Sequence, residues 1–154
     1  MSIREALPAD VDFLRQGLRS LDDEMRELAT ASGFHREGMP GPNIEALLQR
    51  ELFFIALYGD EPCGFLSIWF SHPAPERALV PPPQQATINT MYVLPAFRRR
   101  GIASRLLGAA ETRCRSLGAP GISLGFIDGN QPAEAAYKKA GFVTIRHAMW
   151  LSLD

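Results

Sequence analysis

The run Arg98-Arg99-Arg100-Gly101-Ile102-Ala103-Ser104 has residue types and spacing suited to holding an anion. Gly101 and Ala103, at alternate positions, let backbone approach a bulky group closely. Apolar residues then recur at 102, 103, 106, 107, 110, 114 and 117, the spacing of an amphipathic helix. Gly101 therefore stands at a helix start, where several N–H groups lack intrahelical partners and the macrodipole adds partial positive charge. Such a start suits a phosphate or pyrophosphate, and three neighbouring arginines add charge-assisted donors. The spacing matches neither a Walker loop nor a GxGxxG fingerprint. Taken alone, the run reads equally well as a solvated basic turn that caps a helix.

A second segment follows the next expected strand. Asn130-Gln131-Pro132-Ala133 opens a short helix with Pro132, and Ala136-Tyr137-Lys138-Lys139-Ala140-Gly141-Phe142 closes it at Gly141. By residue type alone, Tyr137 reads as an amphipathic side chain that anchors the helix.

The elements around these segments follow from periodicity. Ile3 to Ala6 suits a short first strand. Pro8 sits at a helix start followed by Val11, Phe13, Leu14, Leu18 and Leu21 at helical spacing. Gly and Pro crowd the chain from Thr30 to Pro42, which predicts a loop, and Ile44 to Gln49 predicts a short helix. Leu52–Tyr58 and Cys63–Phe70 flank a Gly-Asp turn and read as a β-hairpin. Six of the 12 prolines fall between Pro73 and Pro95, so Ser71 to Gln85 reads as a long irregular loop. Thr87–Val93 alternates as a strand, Ile102–Leu117 is the crossover helix, and Gly121–Ile127 is the next strand. Phe142–Leu153 is apolar and β-branched enough for one long strand or two short ones. Strand, helix and strand from 87 to 127 imply a parallel pair, whereas the hairpin implies antiparallel pairing. The fold class is therefore mixed α/β (α+β), with helices on the faces of the sheet.

The 154 residues suit one domain spanning 1–154. A net charge of −1 hides a split. Residues 1–77 hold 7 Lys/Arg against 13 Asp/Glu, and residues 78–154 hold 9 against 4. The chain is not basic overall and has one dense basic cluster, so nucleic acid is not the expected partner. The longest apolar run, Leu52–Tyr58, is too short to span a membrane, and Met1–Ala6 has no secretion-signal core. Cys63 and Cys114 form no CxxC pair and read as small buried residues, consistent with a reducing, cytoplasmic setting. No metal is expected.

Taken together and in order, the two segments resemble the GNAT superfamily of N-acetyltransferases. Arg98, Gly101 and Ala103 match its acetyl-CoA signature, Arg/Gln-x-x-Gly-x-Gly/Ala, and Met91-Tyr92-Val93-Leu94-Pro95 is similar to its lead-in. Asn130, Ala133, Tyr137, Gly141 and Phe142 match its Asn-x-x-Ala…Tyr-x-x-x-Gly-Phe element. The resemblance covers residues 87–142 closely. It implies a mostly antiparallel mixed sheet whose two central parallel strands splay apart around acetyl-CoA. It also implies that the backbone from Arg99 through Arg100, Gly101, Ile102 and Ala103 to Ser104 holds the pyrophosphate. The backbone of Met91 and Val93, with Asn130, would pair with the pantetheine arm. The N–H of Met91 or Tyr92 would meet the thioester oxygen, and Tyr137 would protonate the departing thiolate.

Many family members carry a Glu on the strand before the loop. Thr87–Val93 has no carboxylate, and Asn89 and Thr90 can orient water but cannot hold a proton at neutral pH. His72, with a suitable intrinsic pKa, is the first candidate base. Glu24, His35, Glu37 and Glu76 follow, and His147 reads as a satisfied sheet residue. The resemblance places the acceptor wall among Asp22, Asp23, Glu24, Glu27, His35, Glu37, His72 and Glu76. Their acidity favours a cationic amine, small or peptide-borne, although a solvated helix face would look identical. A non-catalytic acyl-CoA-binding module is the alternative. Edge strands at the C-terminus could support a homodimer.

Overall fold

The computed structural model describes residues 1–31, 33, 43–71, 85–149 and 151. In chain order its elements are β1 (Ser2–Glu5), α1 (Val11–Ala31), α2 (Ile44–Arg50), β2 (Leu52–Tyr58), β3 (Glu61–Ser71), β4 (Gln85–Val93), α3 (Ile102–Ser116), β5 (Ile122–Leu124) and α4 (Gln131–Lys139). Single 3-10 turns precede α1 at Pro8–Asp10 and follow β4 at Pro95–Phe97.

The strand β2 shows why helices cover both faces of the sheet. Successive side chains in a strand point to opposite faces. Phe53 and Ile55 pack with Leu14, Leu18, Phe65 and Tyr92, against which Leu47 and Leu48 of α2 also lie. Phe54 and Ala56 pack with Leu66, Ile68, Leu106, Leu107 and Tyr137. Both faces are apolar, so both must be covered. Helices α1 and α2 cover one, and α3 and α4 cover the other. Burying any one of these large side chains contributes about 1.5–3 kcal/mol.

The strands lie in the order β1-β2-β3-β4-β5. The first three pairings are antiparallel and β4–β5 is parallel, joined through α3. The sheet is thus mixed and mostly antiparallel, as expected. Asp10 fixes the first corner. Its carboxylate accepts from both terminal nitrogens of Arg4 at 2.6 and 3.0 Å and from Leu7 N–H at 2.7 Å. The Asn43 side chain caps α2 by accepting from Ala46 N–H at 3.1 Å. Among the described residues, no helix is long and apolar enough to cross a membrane.

Two expectations are corrected. The strand expected over 121–127 is only Ile122–Leu124. The C-terminal strands expected over 142–153 do not form among the described residues. Val143, Ile145, Met149 and Leu151 are exposed, and His147 with them is a surface residue and not a sheet residue. β-branched residues fit a pleated surface, but a strand also needs a backbone partner. Pairing at this side of the sheet stops at the three residues of β5. The edge strands invoked for a homodimer are therefore not formed among the described residues.

Candidate functional site

The site is built on a fault in β4. Ser67 pairs with Thr90 and Ile68 with Ile88, which leaves Asn89 as an extra residue, a β-bulge. A bulge bends its strand and increases the twist. On the other edge, Ala86, Thr87 and Ile88 pair in parallel with Ile122, Ser123 and Leu124, and among the described residues pairing ends there. Residues 89–93 of β4 keep β3 on one edge and face an opening on the other. The two parallel strands therefore splay apart, as expected. Leu94 N–H donates to the Cys63 carbonyl at 3.0 Å. Backbone groups alternate edges along a strand, so those of Met91 and Val93 point into the opening.

The chain then turns into α3. Arg99 holds φ = +63° and Gly101 φ = +76°. The left-handed region is costly for arginine and ordinary for glycine. Gly101 is the N-cap, no side chain caps the helix, and its first turn holds no acidic residue. The first intrahelical bond runs from Arg105 N–H to the Gly101 carbonyl at 3.2 Å. The N–H groups of Ile102, Ala103 and Ser104 are thus left without helical partners. Ile102 can offer only its backbone, because its side chain is core.

The arginines divide. Arg98 donates through Nε to the Val93 carbonyl at 2.9 Å and through its terminal nitrogen to Glu24 at 2.6 Å, and it lies over the Tyr92 ring. Arg100 lies over Tyr58 and Phe97. Arg99 is exposed beside the helix start.

On the α3/α4 face, Met91, Val93, Ala133 and Phe142 pack against the cluster that contains Tyr137. Tyr137 is buried beside Phe126 and Phe142, with ring centroids at 5.7 and 6.0 Å. Its phenol, protonated at neutral pH in any case, has its pKa pushed further up by burial, and the hydroxyl can donate. The Asn130 side chain accepts from Ala133 N–H at 3.3 Å, capping α4.

On the α1/α2 face lies a group that sequence reasoning missed. Ser67, which is fully buried, donates to Glu51 Oε2 at 2.5 Å, shares a hydrogen bond with Thr90 Oγ1 at 2.7 Å and accepts from Thr90 N–H at 3.2 Å. Asn89 Nδ2 donates to Glu51 Oε1 at 2.6 Å. A cavity of about 220 Å³ opens beside this group, lined by Ala46, Leu47, Arg50, Glu51, Trp69 and Asn89. The pairing of Asn89 and Thr90 as water-orienting groups was the nearest sequence signal. Glu51 itself carries none, because only the register of three strands brings it there.

The first candidate base, His72, lies outside the described residues, as do His35, Glu37 and Glu76. Of the acidic wall, Asp22 pairs with Arg26 at 2.8 Å and Glu24 with Arg98. Asp23 and Glu27 are exposed. Cys63 and Cys114 are buried, and burial raises both thiols, as inert residues require.

Comparison with known proteins agrees with this fold. A family profile described as the acetyltransferase (GNAT) family matches residues 19–142. The fold is similar to that of a tetramutant of the BH1408 protein from Bacillus halodurans, with a TM-score of 0.81, 19% identity, and coverage of 99% of this chain and 100% of that one. It is similar to an aminoglycoside N-acetyltransferase, AAC(6')-Iy, in complex with CoA, with a TM-score of 0.70, 19% identity and 99% of each chain covered. It is also similar to the aminoglycoside antibiotic 6'-N-acetyltransferase AAC(6')-IG from Acinetobacter haemolyticus, with a TM-score of 0.62, 18% identity, and coverage of 100% and 99%. A comparison with curated protein sequences returns no match.

Proposed function

Because this chain belongs to the acetyltransferase (GNAT) family, we propose that it transfers an acetyl group from acetyl-CoA to a primary amine. The observation that carries this is the inner edge of β4, unpaired beyond Ile88 among the described residues, which leads through the turn at 94–101 to the uncapped start of α3. An extended amide-bearing arm can add to such an edge as a strand would, through the backbone of Met91 and Val93. A pyrophosphate at its end then meets the free N–H groups of Ile102, Ala103 and Ser104 in the field of the α3 dipole. Arg99 adds charge, and the amide nitrogen of Asn130 is left to bond the arm. The Val93 carbonyl is held by Arg98 Nε, so the arm takes its place there.

Acetyl-CoA supplies the thioester whose carbonyl the amine attacks. Negative charge grows on that oxygen, and the N–H of Met91, which faces the opening, can stabilise it. Tyr137, a neutral phenol at physiological pH, gives a proton to the departing sulfur. The acceptor is a cationic primary amine on a small molecule or peptide, drawn by the acidic first half of the chain. CoA-complexed AAC(6')-Iy supports the cofactor by analogy of fold.

Calorimetric titration with acetyl-CoA, followed by CoA-release assays over a panel of amines, tests the proposal. Saturable binding with turnover on a primary amine is expected. Binding without turnover on any amine would make the chain an acyl-CoA-binding module. Preference for an anionic acceptor would contradict the acceptor class.

A further inference from the structure

We infer that Glu51 is the base of this site: its carboxylate binds the ammonium of the acceptor and takes the proton that must leave before attack. The inference rests on the acetyl-transfer reading above and supplies what β4 lacks, since Gln85–Val93 contains no carboxylate.

Position is the first argument. Thr87 pairs with Trp69, and Tyr92 packs with Leu14 and Phe65, so both project onto the α1/α2 face. Strand alternation between these two positions allows only one of Asn89 and Thr90 on that face. The bulge puts both there. Asn89 reaches one oxygen of Glu51, and Thr90 reaches Ser67, which holds the other. The carboxylate is therefore fixed beside residue 89, immediately after the last pairing of β4 with β5 at Ile88. It stands at the vertex of the opening.

Chemistry is the second. Both donors to Glu51 are neutral, and among the described residues no Lys, Arg or His pairs with it. Each carboxylate oxygen has more than one acceptor position, so a cation can still bind. Neutral donors orient the group without cancelling its charge. The adjacent cavity of about 220 Å³ has the Trp69 ring and Arg50 in its wall; the Arg50 guanidinium lies over that ring, 6.0 Å from its centroid, and among the described residues makes no ion pair with Glu51.

Third, the proposed acid and base stand on opposite faces of the sheet, Tyr137 with α3/α4 and Glu51 with α1/α2. Among the described residues no hydrogen bond joins the two, so each is left to handle its own proton. The ammonium gives one proton to Glu51. The nitrogen lone pair forms the N–C bond, the C–S bond breaks with its electron pair on sulfur, and sulfur takes the phenolic proton of Tyr137. The second proton lost from nitrogen restores Tyr137, directly or through water. Glu51 returns its own to solvent, so one proton is released per turnover.

The test compares wild type, Glu51→Gln and Glu51→Ala in CoA release with the best amine of the panel. Acetyl-CoA binding is measured on each by calorimetry. Glu51→Gln is expected to lower kcat about 100-fold or more, the usual scale for general-base loss. Acetyl-CoA affinity is expected to stay within threefold, and added formate to restore turnover to Glu51→Ala but not to wild type. If Glu51→Gln keeps kcat within threefold, or if His72→Ala collapses turnover while Glu51→Gln retains it, the inference is overturned. Loss of acetyl-CoA binding in both Glu51 variants would also overturn it, showing a structural role. Failure of wild type on every amine would instead sink the acetyl-transfer reading on which the inference rests.

Discussion

Asn89 Nδ2 donates to Glu51 Oε1 at 2.6 Å, joining residues that are 38 positions apart in the chain. Asn89 is the bulge residue of β4, and Glu51 is the last residue before β2. One irregularity in the strand therefore lies where β4 parts from β5 and orients a carboxylate beside that point.

Removing this hydrogen bond while leaving the bulge backbone tests the link. A hydrogen bond to a charged group is worth about 1.5–3 kcal/mol, reduced here because the pair is partly solvated. Asn89→Ala is expected to lower kcat/KM for the amine about tenfold and to leave acetyl-CoA affinity unchanged. Steady-state kinetics with either substrate varied would show it. An equal loss in acetyl-CoA affinity would mean that the opening itself had changed.

Tyr137 should separate chemistry from binding. Its ring packs between Phe126 and Phe142, and phenylalanine keeps that packing. Tyr137→Phe is expected to lower kcat about 100-fold or more, the range of a lost general acid, with acetyl-CoA affinity and Tm nearly unchanged. CoA-release kinetics and thermal melts check the two halves. Retained kcat would return Tyr137 to a packing role.

Alkaline stability follows from three buried protons. Burial raises the pKa of Tyr137, Cys63 and Cys114. The folded chain then holds protons that the unfolded chain has released, so unfolding free energy falls as pH rises. The fall should begin near the ordinary thiol value of about 8.5 and steepen near the phenol value of about 10. Urea midpoints between neutral pH and pH 10.5 would show it, and a flat profile would contradict it.

Asp10 governs the acid side. The hydrogen bonds from Arg4, its largest influence, hold its carboxyl below the usual range against the cost of burial. Its contribution is present above about pH 4 and is lost as pH falls through the lowered value. Asp10→Asn is expected to cost about 1–2 kcal/mol at neutral pH, since Arg4 remains partly exposed and solvent screens the pair. It should also flatten the acid limb of the urea-midpoint profile.

Gly17 lies within α1, where alanine would ordinarily stabilise by about 0.5–1 kcal/mol. A methyl there would clash with the Phe65 ring, with Cζ at 3.3 Å and Cε1 closer still. Phe65 is fully buried and is held by Phe13, Phe53 and Tyr92. Overpacking at about 1–3 kcal/mol wins, so Gly17→Ala is expected to lower Tm.

What the sequence made legible was local. Helical spacing located α1, α2 and α3, alternation located β4, and two apolar runs around a Gly-Asp turn located β2 and β3, because each signal depends on neighbours a few residues away. The loop and helix start at 98–104 and the Asn130–Phe142 helix were visible for the same reason. The bulge at Asn89 was not, because it is a mismatch between β3 and β4 that neither strand shows alone. Glu51 was not, because its partners lie at 67 and 89. The expected strands after Phe142 failed in the opposite way: apolar, β-branched residues supplied propensity without a pairing edge.

The most direct measurement of the account is the reaction itself. Purified chain, acetyl-CoA and a panel of primary amines are incubated together, with CoA release followed by thiol titration and products by mass spectrometry. The account expects one N-acetylated amine for each CoA released, with acetyl-CoA saturating a single site. An absence of saturable acetyl-CoA binding, or CoA release without any N-acetylated product, would contradict it.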